Sequence, residues 1–85
     1  MTRNQFEQYS NQEQLNIIGR DGVFLAERVV AGNRVYLYIV HSFYVELLHE
    51  LSNVNSQGLT VFKIFTDTSA FALYPDKADT EKLYV

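Results

Sequence analysis

Cysteine is absent from these 85 residues, which removes disulfide staples and thiolate metal ligands and accords with a reducing compartment. Positive charge is scarce. Seven Lys and Arg stand against ten Asp and Glu, for a formal net charge of −3, and the basic residues are scattered from Arg3 to Lys82. No basic stripe is present to neutralise phosphates, so nucleic acid is set aside as a partner. Long apolar runs are missing too: the longest, Val35 to Val40, has six residues, against the roughly 18 to 20 that cross a bilayer. No membrane association is expected. The first residues, MTRNQFEQYSNQEQ, lack the apolar centre of a secretory leader, which makes the cytoplasm the expected location.

What is plentiful is apolar and aromatic surface, 47% and 14% of the chain, well above the composition of disordered segments. The chain should fold as a single small domain over residues 1–85. A core of this size hides only about 60 to 65% of the unfolded surface, so its stability needs help from elsewhere.

The pattern predicts an α+β fold: a small antiparallel sheet of three to four strands, with a β-hairpin over Val23–His41, strands near 43–50 and 59–65, a short C-terminal helix and an N-terminal helix in the arm over 1–18. In that arm Thr2 with Gln5 reads as a capping box, and Phe6 with Tyr9 as an i, i+3 apolar pair; a partly ordered, amide-rich segment is the competing reading. Gly19-Arg20-Asp21-Gly22 reads as a turn leading into the first strand.

VFLAERVV and RVYLYIV are rich in β-branched and aromatic residues, with Gly32-Asn33 between them. A two-residue turn at Gly32-Asn33 opposes Val30 to Val35, Arg28 to Leu37 and Ala26 to Ile39 on one side, and Val29 to Tyr36 and Glu27 to Tyr38 on the other. After Ser42 a helix and a strand fit the apolar pattern equally well. Leu59 to Phe65 alternates as a further strand, and Thr66 or Asp67 can cap a helix from about Thr68, ended by Pro75. Residues 76–85 read as a charged tail, with Leu83, Tyr84 and Val85 as an apolar hook.

FLAER, VYLYIV followed by FYVEL, a strand ending in Phe65, and Thr68 with Phe71, Tyr74, Asp76 and Asp79 resemble a set of short uncharacterised bacterial proteins. These have an aromatic-Val-Glu strand, a turn and a Thr-capped terminal helix. The resemblance covers most of Phe24 to Asp79 and implies a strand over 43–50; it carries no activity. This chain departs from the pattern in a longer connection around Asn53 to Gly58 and in Pro75.

Candidate chemistry is sparse. On a helix Glu46, His49 and Glu50 would share one face, the spacing of a carboxylate–imidazole metal pair, but a metal centre needs three or more converging ligands. On a strand Glu46 and His49 point to opposite faces. Ser10, Ser42, Ser52, Ser56 and Ser69 sit in turn or cap contexts without a nucleophile elbow. Gly19, Gly22, Gly32 and Gly58 form no phosphate-cradling loop. No catalytic residue, metal or cofactor is therefore assigned, and the balance is against an enzyme. What remains is a candidate interface: Tyr36, Tyr38 and Tyr44, whose rings bury area while a hydroxyl stays available, with Glu27 and Arg28 beside them.

The reading that follows is a non-catalytic protein-interaction or oligomerisation module; a small-ligand domain with an aromatic-lined pocket is the alternative, and a metal-dependent enzyme comes third. A homodimer is expected, on a count of faces. Strict alternation puts Leu25, Val29, Tyr36, Tyr38 and Val40 on one side and Phe24, Ala26, Leu37 and Ile39 on the other. One short helix shields one of them, leaving a second copy centred on Tyr36 and Tyr38 as the lid.

Overall fold

The computed structural model describes residues 1–50 and 58–74. The N-terminal arm forms two helices. Thr2 opens α1 (Arg3–Glu7) with the expected capping box: its hydroxyl accepts the Gln5 N–H at 3.2 Å, and the Gln5 side chain accepts the Thr2 N–H at 2.8 Å. Ser10 then accepts the Glu13 N–H at 3.2 Å and starts α2 (Asn11–Asp21). The helices are tied inside the fold by the Gln14 amide, which donates to the Phe6 carbonyl at 2.9 Å in a buried position.

The turn expected at Gly19 to Gly22 is not formed; α2 runs through Gly19, Arg20 and Asp21. A glycine within a helix costs about 1 kcal/mol relative to alanine, which the burial of Ile17 and Ile18 just before it offsets. Gly22 is the residue that ends the helix. Its N–H donates to the Ile18 carbonyl, and a Cβ placed there would lie 2.6 Å from that same oxygen. Only glycine lets the chain pass from helix to strand with no connecting loop.

The sheet is a four-stranded antiparallel meander: β1 (Gly22–Val30), β2 (Asn33–Val40), β3 (Phe43–His49) and β4 (Leu59–Phe65), in that spatial order. The segment after Ser42 is thus a strand. A 3-10 helix, Thr68–Leu73, follows β4, and Asp67 caps it by accepting the Ser69 N–H at 2.9 Å. Pro75 and the tail over 76–85, with its hook, lie outside the described residues.

Two details of the hairpin differ from expectation. The turn is Ala31-Gly32, both at positive φ (51° and 82°), so Val30 pairs with Asn33, Arg28 with Val35 and Glu27 with Tyr36. A primed two-residue turn matches the twist of its flanking strands and requires positive φ at both positions; Ala31 accepts that conformation, and the pairing moves by two residues. Then Phe24 pairs with Tyr38 while Ala26 pairs with Leu37, leaving Leu25 as the extra residue of a bulge. An inserted residue reverses the alternation of everything N-terminal to it. Phe24 therefore joins Tyr36 and Tyr38, and Leu25 joins the side of Leu37, the opposite of strict alternation.

Each face has its own cover. On the first, α1 and α2 bring Phe6, Ile17 and Ile18 onto Val40, Phe43, Val45 and Leu47, and the Phe6 and Phe43 rings meet at 5.3 Å. On the second, Ala70 and Tyr74 pack over Leu37, with Leu25, Ala26, Tyr44, Phe65 and Phe71 around them. The face count behind the expected homodimer overlooked Ile17 and Ile18, which make the N-terminal helices a lid.

Candidate interaction surface

The five candidate interface residues do not share one surface. Tyr36, Tyr38 and Glu27 lie on the helix-covered face, while Arg28 and Tyr44 lie on the other. Tyr44 packs edge-on against Phe71 at 5.4 Å between ring centres, so its ring serves the core under the 3-10 helix.

Arg28 turns inward. Its Nε donates to Glu46 Oε2 at 3.0 Å and its Nη2 to Oε1 at 3.2 Å, and the Tyr74 hydroxyl donates to Oε2. The Glu46 side chain is fully buried, against 19% exposure for Arg28. The guanidinium also sits over the Tyr74 ring, 5.5 Å from its centre. Three elements converge here because β1 and β3 flank β2, and the end of the 3-10 helix lowers Tyr74 onto them. The Glu46 hydrogen bond holds the guanidinium more firmly charged. Burial, then the hydrogen bond to Glu46, pushes the Tyr74 hydroxyl above the usual phenol range. With both carboxylate oxygens accepting bonds and the Glu46 side chain fully buried, this triad is a structural unit that ties β1, β3 and the end of the 3-10 helix together.

The constellation of Glu46, His49 and Glu50 dissolves on the strand. Glu46 is in the buried triad; His49 is on the other face, its Nδ1 3.5 Å from the Tyr36 hydroxyl; the Glu50 N–H donates to the Gly58 carbonyl at 2.9 Å. Among the described residues no group of three or more His, Cys, Asp and Glu side chains comes together. The other histidine, His41, occupies the β2–β3 turn at φ 55° and meets Asp21 at 3.0 Å. Asp21 also accepts two bonds from Arg20, at 3.0 and 2.9 Å, and these, with His41, hold its carboxyl at about 2. This exposed cluster joins the end of α2 to the β2–β3 turn.

Of the large apolar residues that the described structure exposes, Tyr9 and Phe62 stand apart, and the other three are on β1. Phe24 stands edge-on to Tyr36 and Tyr38, with ring centres 6.3 and 5.8 Å away. Tyr36 and Tyr38 are half-buried at the margin of the helix-covered core, whereas Phe24 is 50% exposed. Val23 and Val29, on the same strand, are 60% and 66% exposed. Glu27 and Arg34 border the patch with an ion pair of 2.6 Å. Sequence reading missed Phe24 because the bulge is not written in the hydrophobic pattern, although a charged pair interrupting an apolar strand marks the neighbourhood.

The two edges of the sheet differ. On β4 the Asn11 amide accepts the Val61 N–H at 3.2 Å and donates to the Leu59 carbonyl at 3.4 Å, occupying edge groups that a further strand would use. β4 also carries an irregularity between Val61 and Lys63 and exposes Lys63. Among the described residues nothing comparable covers β1. A shallow cavity of about 370 Å³ lies elsewhere, among Met1, Gln5, Gln8 and Tyr9 of the N-terminal segment.

Among the described residues no helix is long and apolar enough to cross a membrane. A comparison with protein-family models, curated proteins and solved structures finds no match to this chain.

Proposed function

We propose that this is a non-catalytic protein-interaction module of the cytoplasm that associates with a second copy through the aromatic surface of β1 and β2. The observation that supports it is the half-exposed Phe24 standing edge-on to the half-buried Tyr36 and Tyr38, with Val29 exposed further along the same strand, a composition that marks the centres of protein interfaces. The polar groups at its border, Glu27 and Arg34, are arranged as a rim, and the ionisable triad of Arg28, Glu46 and Tyr74 is buried and mutually satisfied. A ligand pocket would need convergent polar groups inside a concave site; here Glu27 and Arg34 pair with each other at the border of the aromatic residues.

The test is the mass in solution. Sedimentation equilibrium of the unmodified chain should give a species of twice 9.8 kDa that dissociates on dilution, and Phe24→Ser should favour the monomer while leaving the far-ultraviolet spectrum unchanged. A soluble monomer at every concentration would remove self-association and return the ligand-binding reading to first place.

A further inference from the structure

Resting on that reading, we propose that the second copy is recruited through the free edge of β1, two β1 strands pairing antiparallel about a two-fold axis to make one eight-stranded sheet. Three features of the strand carry the argument.

The first is the contrast between edges. An edge strand exposes a row of N–H and C=O groups, and proteins blunt such edges with charge, proline, bulges or a covering segment. β4 has a covering side chain, Asn11, together with Lys63. β1 is nine residues long and among the described residues has neither; its irregularity is the bulge near one end, which leaves Ala26 to Val30 in regular register. Three of the large apolar residues that the described structure exposes, Val23, Phe24 and Val29, are on this one strand.

The second is charge. The two ionic residues of β1 are spent within their own chain: Glu27 on Arg34 at 2.6 Å, and Arg28 on the buried Glu46 at 3.0 Å. Their heads are held over the faces of the sheet by neighbours on β2 and β3. Two copies can therefore lie side by side without the like-charge contact that keeps edges apart.

The third is area. Nine residues run about 30 Å, and a strip of that length and one sheet thick falls short of the roughly 800 Å² that each partner buries in a stable complex. Edge pairing also sets the two aromatic surfaces side by side, since Phe24 and Tyr36 occupy the strands nearest the axis. Their contact supplies the remaining burial, and the result is a reversible dimer that dilution dissociates.

The experiment combines sedimentation equilibrium with amide hydrogen exchange at high and low protein concentration. Edge pairing predicts that alternate amides of β1 exchange more slowly at high concentration, with β4 unchanged. Val29→Lys, at a position 66% exposed, should weaken association by on the order of tenfold or more, about 1.4 kcal/mol, with the circular dichroism spectrum intact. Thr60→Lys on the opposite edge should leave the dimer as it was. A dimer that survives Val29→Lys but is lost in Phe24→Ser, with no change in β1 exchange, would overturn edge pairing and keep a face-to-face association. A monomer at all concentrations would overturn both the pairing and the reading on which it rests. Species larger than two, growing with concentration, would refute a closed two-fold pair.

Discussion

Removing the cation from the buried triad is the sharpest test of how the second face is held. In Arg28→Met the Glu46 carboxylate, with no exposure of its own, keeps the Tyr74 hydroxyl as its side-chain partner among the described residues. Breaking a buried pair in this way costs about 3 to 5 kcal/mol, because one charge is left without compensation. Arg28 is 19% exposed, so water can follow into the gap it leaves, and the lower end, about 3 kcal/mol, is expected. For a domain of this size that is a fall in Tm of on the order of 10 to 20 °C. Glu46→Gln should be milder, about 1 kcal/mol, since the amide still accepts a bond and the partly exposed guanidinium can turn to solvent. Replacing all three groups by apolar ones, as Arg28→Met, Glu46→Leu and Tyr74→Phe together, should recover most of the loss, because no orphaned polar group remains. Thermal and urea unfolding of the three proteins decides the matter. If Arg28→Met and Glu46→Gln cost the same, the asymmetry derived from their unequal burial is wrong.

Other consequences are as direct. Gly22→Ala should destabilise by about 1 to 3 kcal/mol in urea titration, since its methyl would stand 2.6 Å from the Ile18 carbonyl oxygen. Ala31→Asn should raise the urea midpoint modestly, because Asn tolerates the left-handed backbone that Ala31 adopts at φ 51°. Asp21 has its carboxyl lowered from 3.8 to about 2 by Arg20 and His41. Its folded value lies below the unfolded one, so its contribution is present above the ordinary carboxylate range and is lost as pH falls toward 2; a carboxyl carbon NMR titration should find the low midpoint, and Arg20→Gln should move it upward. Asn11→Ala should cost about 1 kcal/mol and speed amide exchange at Val61, whose N–H the Asn11 side chain accepts.

Three strands were legible because β-branched and aromatic residues crowd 23–30, 35–41 and 59–65 with turn residues between them, whereas the pattern over 43–49 fitted a helix equally well and the strand there rested on the resemblance. The first cap was legible in Thr2 and Gln5. α2 was not, since Asn11 to Asp21 is dominated by amides and its apolar residues, Leu15, Ile17 and Ile18, occupy little more than one turn; the signal that could have revealed it is the second cap, Ser10 with Glu13 three positions on. The register was misplaced by the conformation of Ala31, a choice made by strand twist rather than by residue preference. The triad was invisible for a different reason: Glu46 in FYVELL and Arg28 in LAERVV are 18 residues apart, and only their common neighbour β2 brings them together. Phe24 was assigned to the wrong side by one unpaired residue.

That unpaired residue, Leu25, stands outside the parity of paired residues that governs the whole N-terminal third. No loop separates α2 from β1, so the side on which the helix leaves the sheet is inherited from the side that Gly22 presents, and this depends on counting odd or even from the β1–β2 turn. Deleting Leu25 itself would leave Ala26 opposite Leu37 and Phe24 opposite Tyr38, with every face kept; deleting a paired residue between the bulge and the turn, such as Glu27, would rotate Phe24, Gly22 and the helix before it by half a turn, toward the face that Ala70 and Tyr74 already occupy. Single-residue gaps are commonly tolerated in loops; here one such gap, in the middle of a strand, would change which layer of the molecule is on top.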